Sequence, residues 1–135
     1  MKYLLLVIVI FMGCSVSQNG QIIFEGTCNQ FSESGHLTWD VNTQMGDSLL
    51  ITLCSNPTTG FQWQDSADIS DENILKQINH RFIPDGGNML GASGKEEWIL
   101  SSLKKGTSIV VWEYSRPWDG GEKKEWSLTA TVIVD

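Results

Sequence analysis

The chain has 135 residues, a net charge of -7 and a 41% hydrophobic composition that includes six Trp. That length suits a single domain behind a short leader, and the acidic balance argues against a nucleic-acid surface, which needs a basic footprint. With two His and three Cys, the usual His- or Cys-rich metal centres are not expected, and no cofactor is called for.

The chain opens with Lys2 and an apolar run of ten residues, Tyr3 to Met12. A membrane-crossing helix needs about 20 apolar residues, so this run suits the core of a signal peptide. Phe11-Met12-Gly13-Cys14 resembles a lipobox, the bacterial signal for cleavage before a cysteine that then receives lipid. The expectation is a lipoprotein-type signal over 1–13, lipid on Cys14, and an exported, membrane-anchored product facing the periplasm or cell exterior. An ordinary cleaved signal with an incidental cysteine is the alternative. Residues 14–21 read as a tether, and 22–135 as the folded domain.

Short strand patterns with turn punctuation follow. Ile22 to Glu25 suggests an edge strand, and His36 to Val41 a second. Ser48 to Cys54 alternates, with Leu49, Ile51 and Leu53 on one face. Phe61 to Gln64 puts Phe61 and Trp63 on one side. Ile74 to Phe82 fits a strand, but Ile74, Ile78 and Phe82 also fit one helical face. Glu96 to Ser101, Ser108 to Tyr114 and Trp126 to Val134 are clear strands. The one helix-like stretch is Asp68 to Gln77. Strands at this spacing predict an all-β fold, a sandwich of seven to eight antiparallel strands in two sheets, each wetting one face.

Trp39, Trp63, Trp98, Trp112 and Trp126 fall in strands and are expected to pack there. Trp118 lies in a loop, where a large aromatic suggests a binding anchor. Cys28 and Cys54 are either free thiols or a disulfide closing a loop of about 26 residues, worth about 3 kcal/mol. Asp65, Asp68, Asp71 and Glu72 read as a solvated acidic run, Glu96 and Glu97 as strand-surface charges, and His36 and His80 as surface residues. A nucleophile pair of Cys54 with a histidine is a weaker reading than these structural ones, so the chain is not expected to be an enzyme.

Three loops between strands carry the remaining signal, because a rigid scaffold commonly presents its binding residues on loops. In Asn56-Pro57-Thr58-Thr59-Gly60, the Asn56 side-chain oxygen is expected to bond a backbone N–H two residues on. Pro57 fixes φ, and Gly60 permits φ > 0. Thr58 and Thr59 should stand at the tip of a stiff turn. Gly91-Ala92-Ser93-Gly94 ends a long, small-residue connection, which lacks the Lys-Ser/Thr ending of a phosphate loop. In Arg116-Pro117-Trp118, Arg116 either stacks on Trp118, braces the loop, or donates to a partner.

In this order, and with Phe61-x-Trp63 after the first loop, the set resembles the chagasin-like inhibitors of papain-type cysteine peptidases. The resemblance covers roughly residues 35–134. It implies an immunoglobulin-like sandwich with three loops at one end, forming a wedge that reversibly blocks the peptidase cleft. Asn56 to Gly60 with Phe61 would be the central loop, with Thr58 at its tip. Gly91, Ala92, Ser93 and Gly94 would flank one side of the cleft, and Arg116, Pro117 and Trp118 the other. The second loop departs from the family pattern at Ser93, where Gly is usual. A wedge of this kind works as a monomer, with a papain-like cysteine peptidase as partner. The competing reading is an exported immunoglobulin-like binding module, such as an adhesin, a carbohydrate binder or an envelope-assembly factor.

Overall fold

The computed structural model describes residues 20–84 and 93–135. The expected signal, Cys14 and most of the tether lie outside the described residues, as do Gly91 and Ala92. The described strands and helix all fall within 20–135, so a chain beginning at Ser15 retains every one of them.

Among the described residues, nine strands and one α-helix build two facing sheets. The strands are β1 (Gln21–Gly26), β2 (His36–Thr43), β3 (Ser48–Ser55), β4 (Gln62–Trp63), β5 (Asp68–Ile69), β6 (Leu75–Ile83), β7 (Gly94–Ser102), β8 (Gly106–Ser115) and β9 (Trp126–Val134). The first sheet has the order β1-β3-β7-β6, the second β2-β9-β8-β4, with β5 also pairing β8. Period-2 alternation places the core as expected. Leu49, Ile51, Leu53, Trp98, Leu100, Val110, Trp112 and Leu128 are fully buried between the sheets.

The expectation of purely antiparallel sheets is corrected by the pairings. β1 runs parallel to β3, from Gln21 opposite Ser48 to Gly26 opposite Leu53, and β2 runs parallel to β9. Alternation within a strand reports which face is buried, not the direction of its neighbour. The chain crosses from one sheet to the other between β1 and β2, and both strands join strands that run the same way.

That crossing is made by α1 (Cys28–Ser34), a helix that the strand-based reading misses. Thr27 caps it, with Gln30 N–H donating to the Thr27 hydroxyl and Thr27 N–H to the Gln30 side chain. This capping box satisfies two N-terminal donors that would otherwise be orphaned. Phe31, 1% exposed, is the helix's core anchor, packing on Trp63 and Trp126 with ring centroids 5.2 and 5.1 Å away. Cys28 is joined to Cys54 by a disulfide with Cα atoms 5.1 Å apart.

The helical alternative for Asp68 to Gln77 is also corrected. β5 and a turn lead into β6, which pairs with β7 and shifts register between Gln77 and Asn79. Ile78 is the extra residue of that bulge and is 58% exposed. The spacing of Ile74, Ile78 and Phe82 therefore marks a bulged strand, not a helix face.

Candidate functional site

The registers bring the first loop, the third loop and the described end of the second, Ser93 and Gly94, to one end of the sandwich. Ser55 pairs with Gly94, so the first loop leaves β3 beside the end of the second. Gln62 pairs with Ser115, so it returns beside the start of the third. The helix α1 closes the same end, because Gly26 and His36 pair with Leu53 and Ser127 there.

The first loop is a single 3-10 turn over Pro57–Thr59. Thr59 N–H donates to Asn56 O at 3.2 Å and Gly60 N–H to Pro57 O at 3.0 Å. Contrary to the local reading, the Asn56 side chain does not cap a backbone N–H. Its Oδ1 accepts instead from the Thr58 hydroxyl at 2.7 Å, and the Thr59 hydroxyl donates to Asn56 O at 2.7 Å. Pro57, Thr58 and Thr59 are exposed, so the turn is stiff inside and presented outside.

Beneath the turn lies Tyr114, 2% exposed. Its hydroxyl accepts from Asn56 N–H at 2.9 Å and donates to Asn56 O at 3.3 Å. Burial pushes this phenol above its ordinary pKa, against the lowering effect of Asn56, so it stays a neutral donor. Tyr114→Phe keeps the ring but leaves the Asn56 N–H without its partner. A loss of about 1–3 kcal/mol is expected, read as a lower denaturant midpoint with an unchanged m-value.

The third loop is fastened to the first. Arg116 donates from Nε and Nη2 to Thr59 O at 3.3 and 3.2 Å, and from Nη1 to Glu122 at 3.4 Å. Its guanidinium lies over Phe61, not over Trp118, with 4.4 Å to the ring centroid. Phe61 stacks in turn on Tyr114, and Tyr114 on Trp126, at 5.4 and 4.8 Å. Of the readings for Arg116, the structure shows the brace. Lys123 Nζ donates to the carbonyls of Arg116 and Trp118 and curls the loop back on itself.

Trp118 is 51% exposed and stands against Gly60. Gly60 takes φ +84, and a Cβ there would lie 2.6 Å from Cη2 of Trp118. Gly60→Ala therefore combines left-handed strain of about 1–2 kcal/mol with displacement of the indole. The expected result is a domain of near-normal circular dichroism in which any binding through this loop pair falls about tenfold or more.

Of the second loop, Ser93 is half-buried, and Gly94 is buried as the first residue of β7. Two residues read as surface charges are in fact covered: Glu96 and Glu97 are 7% and 9% exposed. Glu96 shares the inward face of Trp98 and Leu100 and contacts His80, while Glu97 is gripped by Arg81 at 3.0 Å. Parity along β7 is the signal that places Glu96 inside.

A sequence profile of the chagasin family of peptidase inhibitors (Chagasin family peptidase inhibitor I42) matches residues 42–132. Amoebiasin-2 of Entamoeba histolytica is 32% identical over 94 residues, 70% of this chain and 76% of that protein. Chagasin of Trypanosoma cruzi is 33% identical over 78 residues, 56% of this chain and 71% of that protein. The crystal structure of a cysteine protease inhibitor from Entamoeba histolytica superposes with a TM-score of 0.62 at 26% identity, covering 85% of this chain and 97% of that one.

Proposed function

Because the chain belongs to the chagasin family of peptidase inhibitors, we propose that its three-loop end enters and blocks the active-site cleft of a papain-like cysteine peptidase. It is an inhibitor by family and not an enzyme. Asn56, Pro57, Thr58, Thr59, Gly60 and Phe61 form the central contact. In this reading Gly91 to Gly94 would flank one side of the cleft, and Arg116, Pro117 and Trp118 the other.

The observation that carries this reading is the cross-bracing of the first and third loops through Arg116, Phe61 and Tyr114. A loop already held in its docked shape loses little entropy on binding, so a given contact area yields more affinity. The same bracing argues for occlusion without cleavage. A 3-10 turn beginning at Pro57 does not present the extended backbone that a peptidase cuts. After long incubation with papain, the chain is expected to be recovered intact, and enzyme activity to return on dilution. Stoichiometric nicking between 56 and 60 would contradict this.

The wedge acts as a monomer. Lipid on Cys14 would hold it at an exported membrane face, a reading supported by the Phe11-Met12-Gly13-Cys14 pattern and the apolar run before it.

A further inference from the structure

We propose that Asp65, His80 and Glu96 form a binding site for one zinc-class divalent cation, at the mouth of the sandwich beside the first loop. Asp65 sits between β4 and β5, His80 on β6 and Glu96 on β7, and one donor atom of each lies within 4.8 Å of the other two. Pro57 and Phe61 line the same groove. The sequence offers no hint of this, since two His and scattered carboxylates lack metal-ligand spacing. Only the β6–β7 register brings His80 and Glu96 together.

Three observations support an ion there. First, His80 Nε2 is 3.0 Å from Glu96 Oε1. Two ligands of a tetrahedral zinc, each about 2.0–2.1 Å from the metal, stand roughly 3.3 Å apart. The ion thus replaces a proton between these two atoms with a shift of a few tenths of an ångström. To supply the third ligand, Asp65 must turn its carboxylate from the Nδ1 side of the ring toward Nε2. Its Oδ1 lies 3.7 Å from the other ring nitrogen, and the side chain is 88% exposed and able to turn.

Second, the site is held by its surroundings. The His80 ring packs on Trp98 at 4.9 Å. Trp98 Nε1 and the Gln77 amide both donate to Asp65 O, at 3.0 and 2.8 Å, which pins the turn that carries the third ligand. Fixing the groups around a metal site in this way typically matters about 10–100-fold in affinity.

Third, the Glu96 side chain is 9% exposed, and no Lys or Arg stands among the described residues lining the groove. Arg81 is engaged by Glu97. A covered carboxylate needs a compensating charge. A divalent ion balances the charge of the two carboxylates. A nitrogen ligand with two carboxylates favours zinc and its neighbours over calcium or magnesium, which take oxygen.

The test uses tag-free chain from Ser15, titrated with ZnCl₂ by calorimetry and with CoCl₂ by visible absorption. One equivalent of zinc is expected to bind, with cobalt d–d bands of a low-coordinate nitrogen and oxygen site. His80→Ala and Glu96→Gln should weaken binding about tenfold or more. Asp65→Asn alters only an exposed side chain and cannot unfold the sandwich, so it decides the question should a buried variant misfold; it too should bind more weakly. Absence of stoichiometric binding, or affinity unchanged in both His80→Ala and Asp65→Asn, would overturn the proposal. The outcome does not depend on whether the chain inhibits a peptidase.

Discussion

Trp118→Ala is expected to weaken inhibition of a papain-like peptidase by about 30-fold or more while leaving the domain folded. The indole is 51% exposed, stands against Gly60 at the tip of the wedge and belongs to no strand. Its removal therefore costs the sandwich little. An exposed Trp held against a rigid neighbour is the type of side chain that dominates interfaces, where truncation of a hot spot costs about 2–4 kcal/mol. That converts to roughly 30- to 1,000-fold in affinity. The loss should appear mainly as faster dissociation, measured by the recovery of activity after dilution of the complex. A variant with unchanged dissociation would remove Trp118 from the interface.

The second large effect concerns stability. Replacing both Cys28 and Cys54 by Ser should cost about 3 kcal/mol by loop-closure entropy, a drop in melting temperature of roughly 10 °C for a domain of this size. The bridge ties the start of α1 to Cys54, two residues before Asn56. Its loss thus frees the helix that lies beside the loops. Calorimetry of the double variant, compared with the parent with and without reductant, measures this. A melting temperature unmoved by either change would mean that the bridge contributes no stability in solution.

Much of the working end was legible because its chemistry is local. Pro57 and Gly60 announce a tight turn by their own backbone limits, and a Trp outside any strand marks itself. Other parts are set by distant partners. The fork of Arg116 on Thr59 O joins residues 57 positions apart, and no local pattern distinguishes that brace from a hand extended to a partner. The parallel pairings of β1 and β2 leave no mark on alternation. The helix α1 did leave one: Thr27 and Gln30 are spaced as a capping box, and Gly35 follows at its C-cap. The strand-pattern reading assigns no element between Glu25 and His36 and so passes over this signal. Glu96 shows burial overriding charge, since its parity with Trp98 and Leu100 points inward although carboxylates ordinarily face water.

The most direct test of the inhibitor reading is a titration of papain activity with the chain beginning at Ser15, alongside its Thr58→Ala variant. One-to-one, reversible loss of activity is predicted, weakened in Thr58→Ala because Thr58 stands at the tip of the central loop. Full papain activity at micromolar chain, with the chain shown to be folded, would contradict the account and leave a binding module with a different ligand in its place.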